Sequence, residues 1–386
     1  MGTKKIRLAV LGTGPRWQSL EDVYPHHPKI EVVALCDHAT DLAAASAKRL
    51  QDLHGVVPEV YTSYEALVKS AKYDAVFITT DPDVQVDFAV NEMNRGIHVM
   101  TEVPAAYTMK QCYDLVNTVK KTGVKYQLAE QTRYWNFIKI WREMAAQGKF
   151  GKIFYAEGEY LHFEPKWDYF KHKQSGHHLW TDDASYHNNP DYEPTWRYRT
   201  FRNPILYLPH TLSPLLSITG GRIDSVSCLG SVKGESYGNG FDTRMIECAL
   251  MHNTNGAVFS VKVGANAPCG LKRDTGAHWY QIKGTERSVE WTRSLDDMPK
   301  EYTLADGWVE HPEWSCTDYN APEQFKRSPH GGTDYYPIYY FMDAILNDKT
   351  PPMDVYLAVE TAAPAIAAAE SANKGGIKIG ITDFRL

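Results

Sequence analysis

No stretch of the 386-residue chain reaches the roughly 20 consecutive apolar residues that a membrane-spanning helix needs. The chain also lacks a long basic run, and its net charge of −6 argues against nucleic acid and anionic membranes as partners. Its N-terminus shows no signal-peptide pattern, so we expect a cytoplasmic protein. No internal repeat or low-complexity segment is present, and the length indicates about two domains.

Metal-binding patterns are missing as well. No Cys-x-x-Cys pair occurs among the six cysteines, which argues against structural zinc and favours reduced thiols. A histidine-rich run from His172 to His187 has no common metal-ligand spacing, and Lys171 and Lys173 beside it disfavour a cation. We therefore expect no metal.

A glycine turn near the N-terminus indicates dinucleotide binding. The apolar run Leu8 to Leu11 is followed by Gly12 and Gly14 and then by a helical pattern from about Gln18. Such a turn presents backbone N–H groups and a helix N-terminus to an anion. A second apolar strand ends at Asp37, where a carboxylate can bind a ribose hydroxyl.

The residues around this turn favour NAD as the cofactor. Asp37 would repel a 2′-phosphate, although Arg16 and His38 nearby keep NADP as an alternative. Trp17 stands where the fingerprint usually has its third glycine, so we expect either a shifted helix start or a pocket lined by the indole.

Residues 1–130 are predicted to form an α/β domain, a doubly wound parallel sheet, because strand and helix patterns alternate as in βαβ units. Ligands of such sheets bind at the carboxyl ends of the strands. Five polar residues fall at or just past these ends and should line one crevice: Asp37, Thr80, Asp81, Glu102 and Glu130.

Residues 131–386 are predicted to form a second, α+β domain with an open, mostly antiparallel sheet, because several strands alternate polar and apolar residues. A long, turn-rich insert covers Glu164 to Pro204, and loops of that length are usually functional or mobile. Two C-terminal helical segments, Tyr335 to Leu346 and Val355 to Ser371, should pack back across both domains.

Several motifs together resemble the Gfo/Idh/MocA family, which includes glucose–fructose oxidoreductase and inositol dehydrogenase. They are Gly12-Thr-Gly14, the run from Gly96 to Pro104, Gly148-Lys-Phe-Gly151 and Gly284-Thr285. The resemblance covers nearly the whole chain. It implies an NAD(P)-dependent enzyme that acts on sugars.

Two features depart from the family's dehydrogenases, and the second of them resembles its NAD-dependent redox glycosidases, the α-N-acetylgalactosaminidase-like branch. Val103 replaces the lysine of the usual Glu-Lys-Pro, and Tyr207 precedes His210 by three residues with Pro214 four residues after it. Such enzymes oxidise the sugar at C3, eliminate the C1 substituent, add water and reduce the ketone again.

The resemblance to that branch implies a set of site residues. His210, Tyr160 and Tyr207 are implied to be catalytic. A second group is implied to bind the carbohydrate: Glu130, His162, Lys166, Trp196, Arg197, His330 and Asp334. A third group is assigned to the cofactor: Gly12, Gly14, Arg16, Trp17, Asp37, Thr80, Asp81, Gln85, Glu102 and Pro104.

Two alternative functions remain open from the sequence. The chain could be a sugar or cyclitol dehydrogenase or 3-keto-glycoside reductase, or a non-catalytic sugar- and cofactor-binding protein. His210 could equally cap the apolar helix that follows it, and Tyr160 could be a packing residue of its strand. Relatives pair through the open sheet of the second domain, so we expect a homo-oligomer.

Overall fold

The computed structural model describes residues 5–162, 168–232, 243–264, 270–328 and 330–386. The predicted substrate residue Lys166 lies outside these ranges. No helix of the described residues is long and apolar enough to span a membrane.

The first part of the chain forms a six-stranded, wholly parallel sheet. Its strands are β1 (Ile6–Leu11), β2 (Ile30–Cys36), β3 (Glu59–Tyr61), β4 (Ala75–Ile78), β5 (His98–Thr101) and β6 (Tyr126–Leu128). Their order is β3-β2-β1-β4-β5-β6, and the order reverses at β1, which confirms the predicted doubly wound sheet.

Five helices connect these strands: α1 (Pro15–Gln18), α2 (Thr40–His54), α3 (Tyr64–Ser70), α4 (Gln85–Asn94) and α5 (Met109–Thr122). Local sequence sets several of their ends. Thr108 and Gln111 form a capping box at the start of α5, and Gly123 ends that helix in the left-handed conformation. The helix expected from about Gln18 is instead the single turn α1, which ends at Gln18.

The second part forms a nine-stranded open sheet flanked by helices. The helices are α6 (Asn136–Ala146), α7 (Trp196–Phe201), α8 (Pro209–Thr219), α9 (Tyr335–Leu346) and α10 (Val355–Asn373). The strands of this sheet are β7 (Ile153–Leu161), β11 (Ile223–Gly230), β12 (Ile246–Asn253), β13 (Val258–Gly264), β14 (His278–Gly284), β15 (Ser288–Glu290), β16 (Lys300–Thr303), β17 (Gly307–Glu310) and β18 (Ile379–Gly380).

In this sheet the strand order is β17-β16-β15-β14-β7-β13-β12-β11-β18. All neighbouring pairs are antiparallel except β7 with β13, which confirms the expected mostly antiparallel sheet. One face of β7 is covered by α8. A Cβ built at Gly158 would lie 2.4 Å from Thr211 Cγ2, so only glycine lets helix and strand approach this closely.

The insert that the sequence predicts as turn-rich contains a small sheet of its own. Strands β8 (Asp168–His172), β9 (His178–Thr181) and β10 (Tyr192–Pro194) pair antiparallel in the order β10-β8-β9. Two contacts tie the insert to the first sheet's domain: His177 Nε2 lies 2.5 Å from Asp41 Oδ2, and Lys171 Nζ lies 3.5 Å from Asp81 Oδ2. The insert therefore lies against the carboxyl ends of β2 and β4.

Together the two C-terminal helices, α9 and α10, pack against the parallel-sheet domain and the nine-stranded sheet. Helix α10 packs on β11 and on α5, and its alanine-rich faces are buried. Helix α9 contributes Ile338 and Phe341 to the hydrophobic cluster that holds Leu8 and Phe77 of the parallel sheet. The side chain of Gln127 on β6 donates a hydrogen bond to the carbonyl of Pro337.

We predict that Gly12→Ala destabilises the protein, whereas Gly14→Ala does not. Gly12 has φ +96°, and a Cβ there would lie 2.8 Å from the Thr79 carbonyl carbon, whereas no heavy atom lies within 4 Å of a Cβ at Gly14. Backbone strain of this kind costs about 1–3 kcal/mol. Urea unfolding of the three proteins measures the difference, and equal losses in both variants would contradict this account of the turn.

Candidate active site

The turn after β1 is fixed to the end of β2 by hydrogen bonds. Asp37 Oδ2 accepts from the backbone N–H of Thr13 (2.7 Å) and from Thr13 Oγ1 (3.1 Å), and Asp37 Oδ1 accepts from the N–H of Ala39 (2.9 Å). The carboxylate is buried. It therefore anchors the turn while lying where a ribose would approach the sheet.

The same turn fits a dinucleotide. Open space faces the Cα of Gly14, and its backbone N–H has no acceptor among the described residues. Nearby, Thr80 Oγ1 is buried without a hydrogen-bond partner in the described part of the chain. Unpaired donors at the carboxyl end of a parallel sheet suit phosphate and hydroxyl oxygens. The residues that would hold NAD are thus Gly12, Gly14, Asp37 and Thr80.

Arg16 connects the first domain to the start of α9. Its Nε lies 2.7 Å from Glu102 Oε1, and its Nη2 lies 3.0 Å from Asp334 Oδ1. Asp334 Oδ2 also lies 2.9 Å from His330 Nδ1. The other ring nitrogen of His330, Nε2, lies 3.3 Å from Gln131 Nε2. The structure therefore brings together residues that the sequence divides between cofactor and substrate.

This network sets the charge state of Asp334. Burial alone would raise the pKa of its carboxyl, but His330 and Arg16 outweigh burial and hold the pKa well below its usual range. Asp334 is therefore ionised, and Arg16 is committed to two carboxylates.

Two residues assigned to the cofactor face the protein core instead. Trp17 is fully buried, donates from Nε1 to Ser46 Oγ at 2.7 Å and packs edge-on against Phe77. Gln85 is also fully buried, and its amide donates to the carbonyls of Glu102 (3.1 Å) and Pro104. The prediction that these two side chains line the cofactor site is corrected: they stabilise the loops that frame it.

His210 and Glu130 form the centre of the site, at the seam between the two sheets. His210 Nδ1 lies 2.9 Å from Glu130 Oε2, and both side chains are buried. Glu130 Oε1 accepts from the N–H (2.8 Å) and the Oγ1 (2.7 Å) of Thr132, and that hydroxyl lies 2.9 Å from the His210 carbonyl oxygen. One carboxylate oxygen is thus satisfied by Thr132, and the other faces the imidazole.

Glu130 is therefore a carboxylate rather than a carboxylic acid. Burial raises the pKa of its carboxyl, but His210 and Thr132 outweigh burial and bring the pKa below its ordinary value. A buried carboxylate beside Nδ1 orients the ring and leaves Nε2 as the nitrogen for proton transfer.

Sequence reasoning did not identify His278 and Tyr280 as part of this cluster. Tyr280 donates a hydrogen bond to the His210 carbonyl (3.0 Å), and its oxygen lies 3.3 Å from His278 Nδ1. Burial, with His210 nearby, holds the pKa of His278 well below its usual range, so this ring is neutral. The signal that could have found them is the period of two on β14, which places both residues on the face of Tyr160.

The two predicted catalytic tyrosines stack beside the imidazole. The ring centroids of Tyr160 and Tyr207 are 5.6 Å apart, and those of His210 and these tyrosines are 5.8 Å and 4.9 Å apart. Tyr160 also stacks on His278 at 3.8 Å. Burial raises the pKa of Tyr207 despite the nearby Arg197, so its hydroxyl is protonated at neutral pH.

His162, Trp196 and Arg197 surround the tyrosines. The ring centroid of Trp196 lies 5.9 Å from that of Tyr207, and the Arg197 guanidinium lies over the Trp196 ring at 5.4 Å. Burial, together with Arg197 and His210, lowers the pKa of His162 to about 3. The structure therefore places these three predicted substrate residues at one edge of the catalytic cluster, with His162 neutral.

The parallel sheet, the glycine turn and the acidic residue after β2 define an NAD-binding oxidoreductase. A family model for the NAD-binding Rossmann fold of an oxidoreductase family matches residues 6–130, and the model for that family's C-terminal alpha/beta domain matches residues 142–381. The chain belongs to this family, the Gfo/Idh/MocA oxidoreductases. It is therefore an enzyme of the NAD-dependent type.

The chain is similar in sequence to proteins named as glycosidases and similar in fold to proteins named as dehydrogenases. It is 27% identical to an alpha-N-acetylgalactosaminidase of Tannerella forsythia (98% of this chain and 86% of that one) and 26% identical to a glycosyl hydrolase family 109 protein of Parabacteroides distasonis (98% and 87%). Its fold resembles a levoglucosan dehydrogenase in complex with NADH and L-sorbose, with a TM-score of 0.75, 17% identity and coverage of 99% and 100%. The Bordetella pertussis WlbA dehydrogenase with NADH and UDP-GlcNAcA has a TM-score of 0.69 at 17% identity, over 98% and 99% of the two chains.

We predict that Glu130→Gln lowers the free energy of unfolding by about 2 kcal/mol at pH 7, because it removes a charge-assisted contact. Since the folded-state pKa of Glu130 lies below the unfolded value of about 4.3, the carboxylate's contribution is complete above that pH and is lost as pH falls through the folded pKa. The gap between the two proteins should therefore shrink below about pH 4.3.

Urea unfolding across a pH series measures this gap. The matched control is Glu323→Gln, because Glu323 is exposed and pairs only with Lys326 on the surface among the described residues. It should cost less than about 1 kcal/mol at every pH. A Glu130→Gln penalty that is as large at pH 3 as at pH 7 would show that charge is not its source.

Proposed function

We propose that the protein is an NAD-dependent glycoside hydrolase that works by transient oxidation of the sugar at C3, elimination of the C1 substituent, addition of water and re-reduction. The observation that carries this proposal is the cluster of His210, Tyr160 and Tyr207. It is joined by the buried Val103 at the sequence position where the family's dehydrogenases have a lysine. The similarity to alpha-N-acetylgalactosaminidases supports it.

Such a reaction needs proton transfer at more than one position of the sugar. His210, oriented by Glu130, is suited to accept a proton from a hydroxyl while hydride leaves the same carbon. Tyr207 is protonated at neutral pH and is suited to donate a proton to the departing C1 oxygen. The Tyr160 ring lies 5.6 Å from Tyr207 and 5.8 Å from His210, and it can face the neighbouring carbon C2.

NAD⁺, when bound, would accept the C3 hydride and return it to the same carbon at the end of the cycle. The C2 proton becomes acidic once C3 is a ketone, and its removal expels the C1 substituent. Water then adds across the resulting double bond, so that the net change is hydrolysis and the oxidation state of the sugar is restored. No pair of carboxylates flanking the scissile bond is required.

The surroundings of the cluster favour a carbohydrate as substrate. Trp196 and Tyr207 offer aromatic faces for the C–H groups of a sugar, and His330, held by the buried and ionised Asp334, offers a ring nitrogen for its hydroxyl groups. We infer that an α-N-acetylgalactosaminide is the first substrate to test. A sugar or cyclitol dehydrogenase is the second candidate, because the His210–Glu130 pair would also serve a simple alcohol oxidation.

We predict that the purified protein releases p-nitrophenol from its α-N-acetylgalactosaminide without consuming added NAD⁺. Run in D₂O, the reaction should place solvent deuterium at C2 of the released sugar, because the C2 proton is removed and replaced. Absorbance at 400 nm follows the rate, and mass spectrometry follows the deuterium. If NADH forms stoichiometrically from free sugars and no aryl glycoside or disaccharide is cleaved, the hydrolase proposal is wrong and the dehydrogenase alternative is supported.

The roles of the tyrosines are tested by the same assay. Tyr207→Phe should lower kcat by about 10²–10⁴-fold, the usual contribution of general acid–base catalysis. Tyr113→Phe on α5 is a matched control, since the Tyr113 ring is exposed and packs on Phe384, and neither residue belongs to the site. Equal activity in the two variants would remove Tyr207 from the mechanism.

We further infer a homo-oligomer that pairs through the open face of the nine-stranded sheet. The strand register places Leu229, Cys248, Leu250 and Val258 together on that face, and Leu229 and Leu250 are 64% and 59% exposed. Sedimentation velocity should give a dimer or larger species. Leu250→Glu should shift it toward the monomer, and a wild-type protein that sediments as a monomer at micromolar concentration would contradict this inference.

A further inference from the structure

A cavity of about 460 Å³ lies between α8, α10 and the turn that precedes β11. It contains none of the residues assigned above to cofactor or substrate. On α8 its walls begin at Ser213 and continue through Ser217, which is seven residues, about 10 Å of helix axis, beyond His210. Three arginines contribute to its walls: Arg133, Arg222 and Arg385.

Positive charge exceeds negative charge around this cavity. Arg385 pairs with Glu360 at 2.8 Å, and Arg222 pairs with Asp383 at 3.1 Å. No carboxylate of the described residues lies within ion-pair distance of Arg133, whose guanidinium donates only to Met353 Sδ there. Within ion-pair distance, two carboxylates thus serve three guanidinium groups, and Glu130 and Asp354 act on Arg133 only from farther away.

Two guanidinium nitrogens at the cavity lack hydrogen bonds. Arg133 Nε and Arg222 Nη1 are both buried and have no partner within the described ranges. A guanidinium stays protonated in proteins, so burial leaves these two donors with unmet hydrogen-bonding capacity. Burial lowers the pKa of Arg133 and Arg142 adds to this, whereas Tyr134, Glu130 and Asp354 offset it only in part.

We propose that this cavity is a second ligand site, which binds the phosphoryl group of a small molecule. The three arginines, Arg133, Arg222 and Arg385, supply the charge, and the hydroxyls of Ser213 and Ser217 line the same space. A phosphoryl dianion has three free oxygens and can accept from three guanidinium groups, whereas a carboxylate is filled by one bidentate arginine. The volume exceeds that of a bare ion and lies within the usual range of small-molecule sites.

The site would lie next to the catalytic centre. Arg133 directly follows Thr132, whose side chain holds both Glu130 and the His210 carbonyl. A ligand in the cavity therefore contacts the residue adjacent to the catalytic pair without entering the substrate site. This assignment does not depend on which reaction the enzyme catalyses.

Titration of the NAD-saturated protein with inorganic phosphate tests the proposal, since saturation keeps phosphate out of the cofactor's own phosphate position. Calorimetry at constant ionic strength should show saturable binding of phosphate, and acetate should bind at least about tenfold more weakly. Saturable binding of neither anion, or equal binding of both, overturns the proposal.

Charge substitution inside the cavity locates the bound anion. Ser217→Asp adds a carboxylate to the wall and should weaken phosphate binding at least about tenfold, whereas Ser217→Asn adds similar volume without charge and should retain it. Arg133→Gln should also weaken binding, with the exposed Arg202→Gln as its control. If Arg133→Gln fails to fold, the comparison of Ser217→Asp with Ser217→Asn still tests the proposal. Equal affinity in Ser217→Asp and Ser217→Asn would place the phosphate elsewhere and overturn the proposal.

Discussion

The contact between the Glu130 carboxylate and the His210 imidazole is the interaction on which the catalytic site depends. Glu130 follows the last strand of the parallel sheet, and His210 begins the helix that covers β7 of the open sheet. A charge buried at this seam is costly unless it is paired and hydrogen-bonded. The backbone N–H of Thr132 meets that need by donating to the carboxylate, and the single Thr132 hydroxyl proton has both the carboxylate and the His210 carbonyl within reach. The His210 ring is therefore positioned by the junction of the two domains.

A second ionic network performs a similar task at the cofactor end. Arg16, in the turn after β1, is shared between Glu102 at the end of β5 and Asp334 at the start of α9. Because Asp334 is fully buried, its charge makes the position of α9 relative to the glycine turn specific. Arg16, which the sequence assigns to the cofactor, thus also connects the C-terminal helix to the cofactor domain.

Much of the fold could be predicted from local patterns. Alternating strand and helix patterns indicated the parallel sheet, and the ends of α5 carry local signals, the Thr108 cap and Gly123. The insert was the main omission, because its short strands β8, β9 and β10 are polar and pair only with one another. Trp17 and Gln85 were assigned to the cofactor from their positions in a motif, which carries no information on which way a side chain turns. His278 and Tyr280 escaped notice because nothing local distinguishes a strand residue that faces a site from one that faces a core.

By itself the sequence determined the class of fold and the nature of the cofactor. A glycine turn after a buried strand and an acidic residue after the next one act through backbone conformation and local charge, which neighbouring residues dictate. Tertiary structure alone decided the partners of each charge. Glu130 meets His210 and Arg16 meets Asp334 across 80 and 318 positions of the chain, separations that no periodicity encodes. Arg133 has no carboxylate within ion-pair distance among the described residues. Ion pairing depends on distances of a few ångströms, and only the docking of the two sheets sets them.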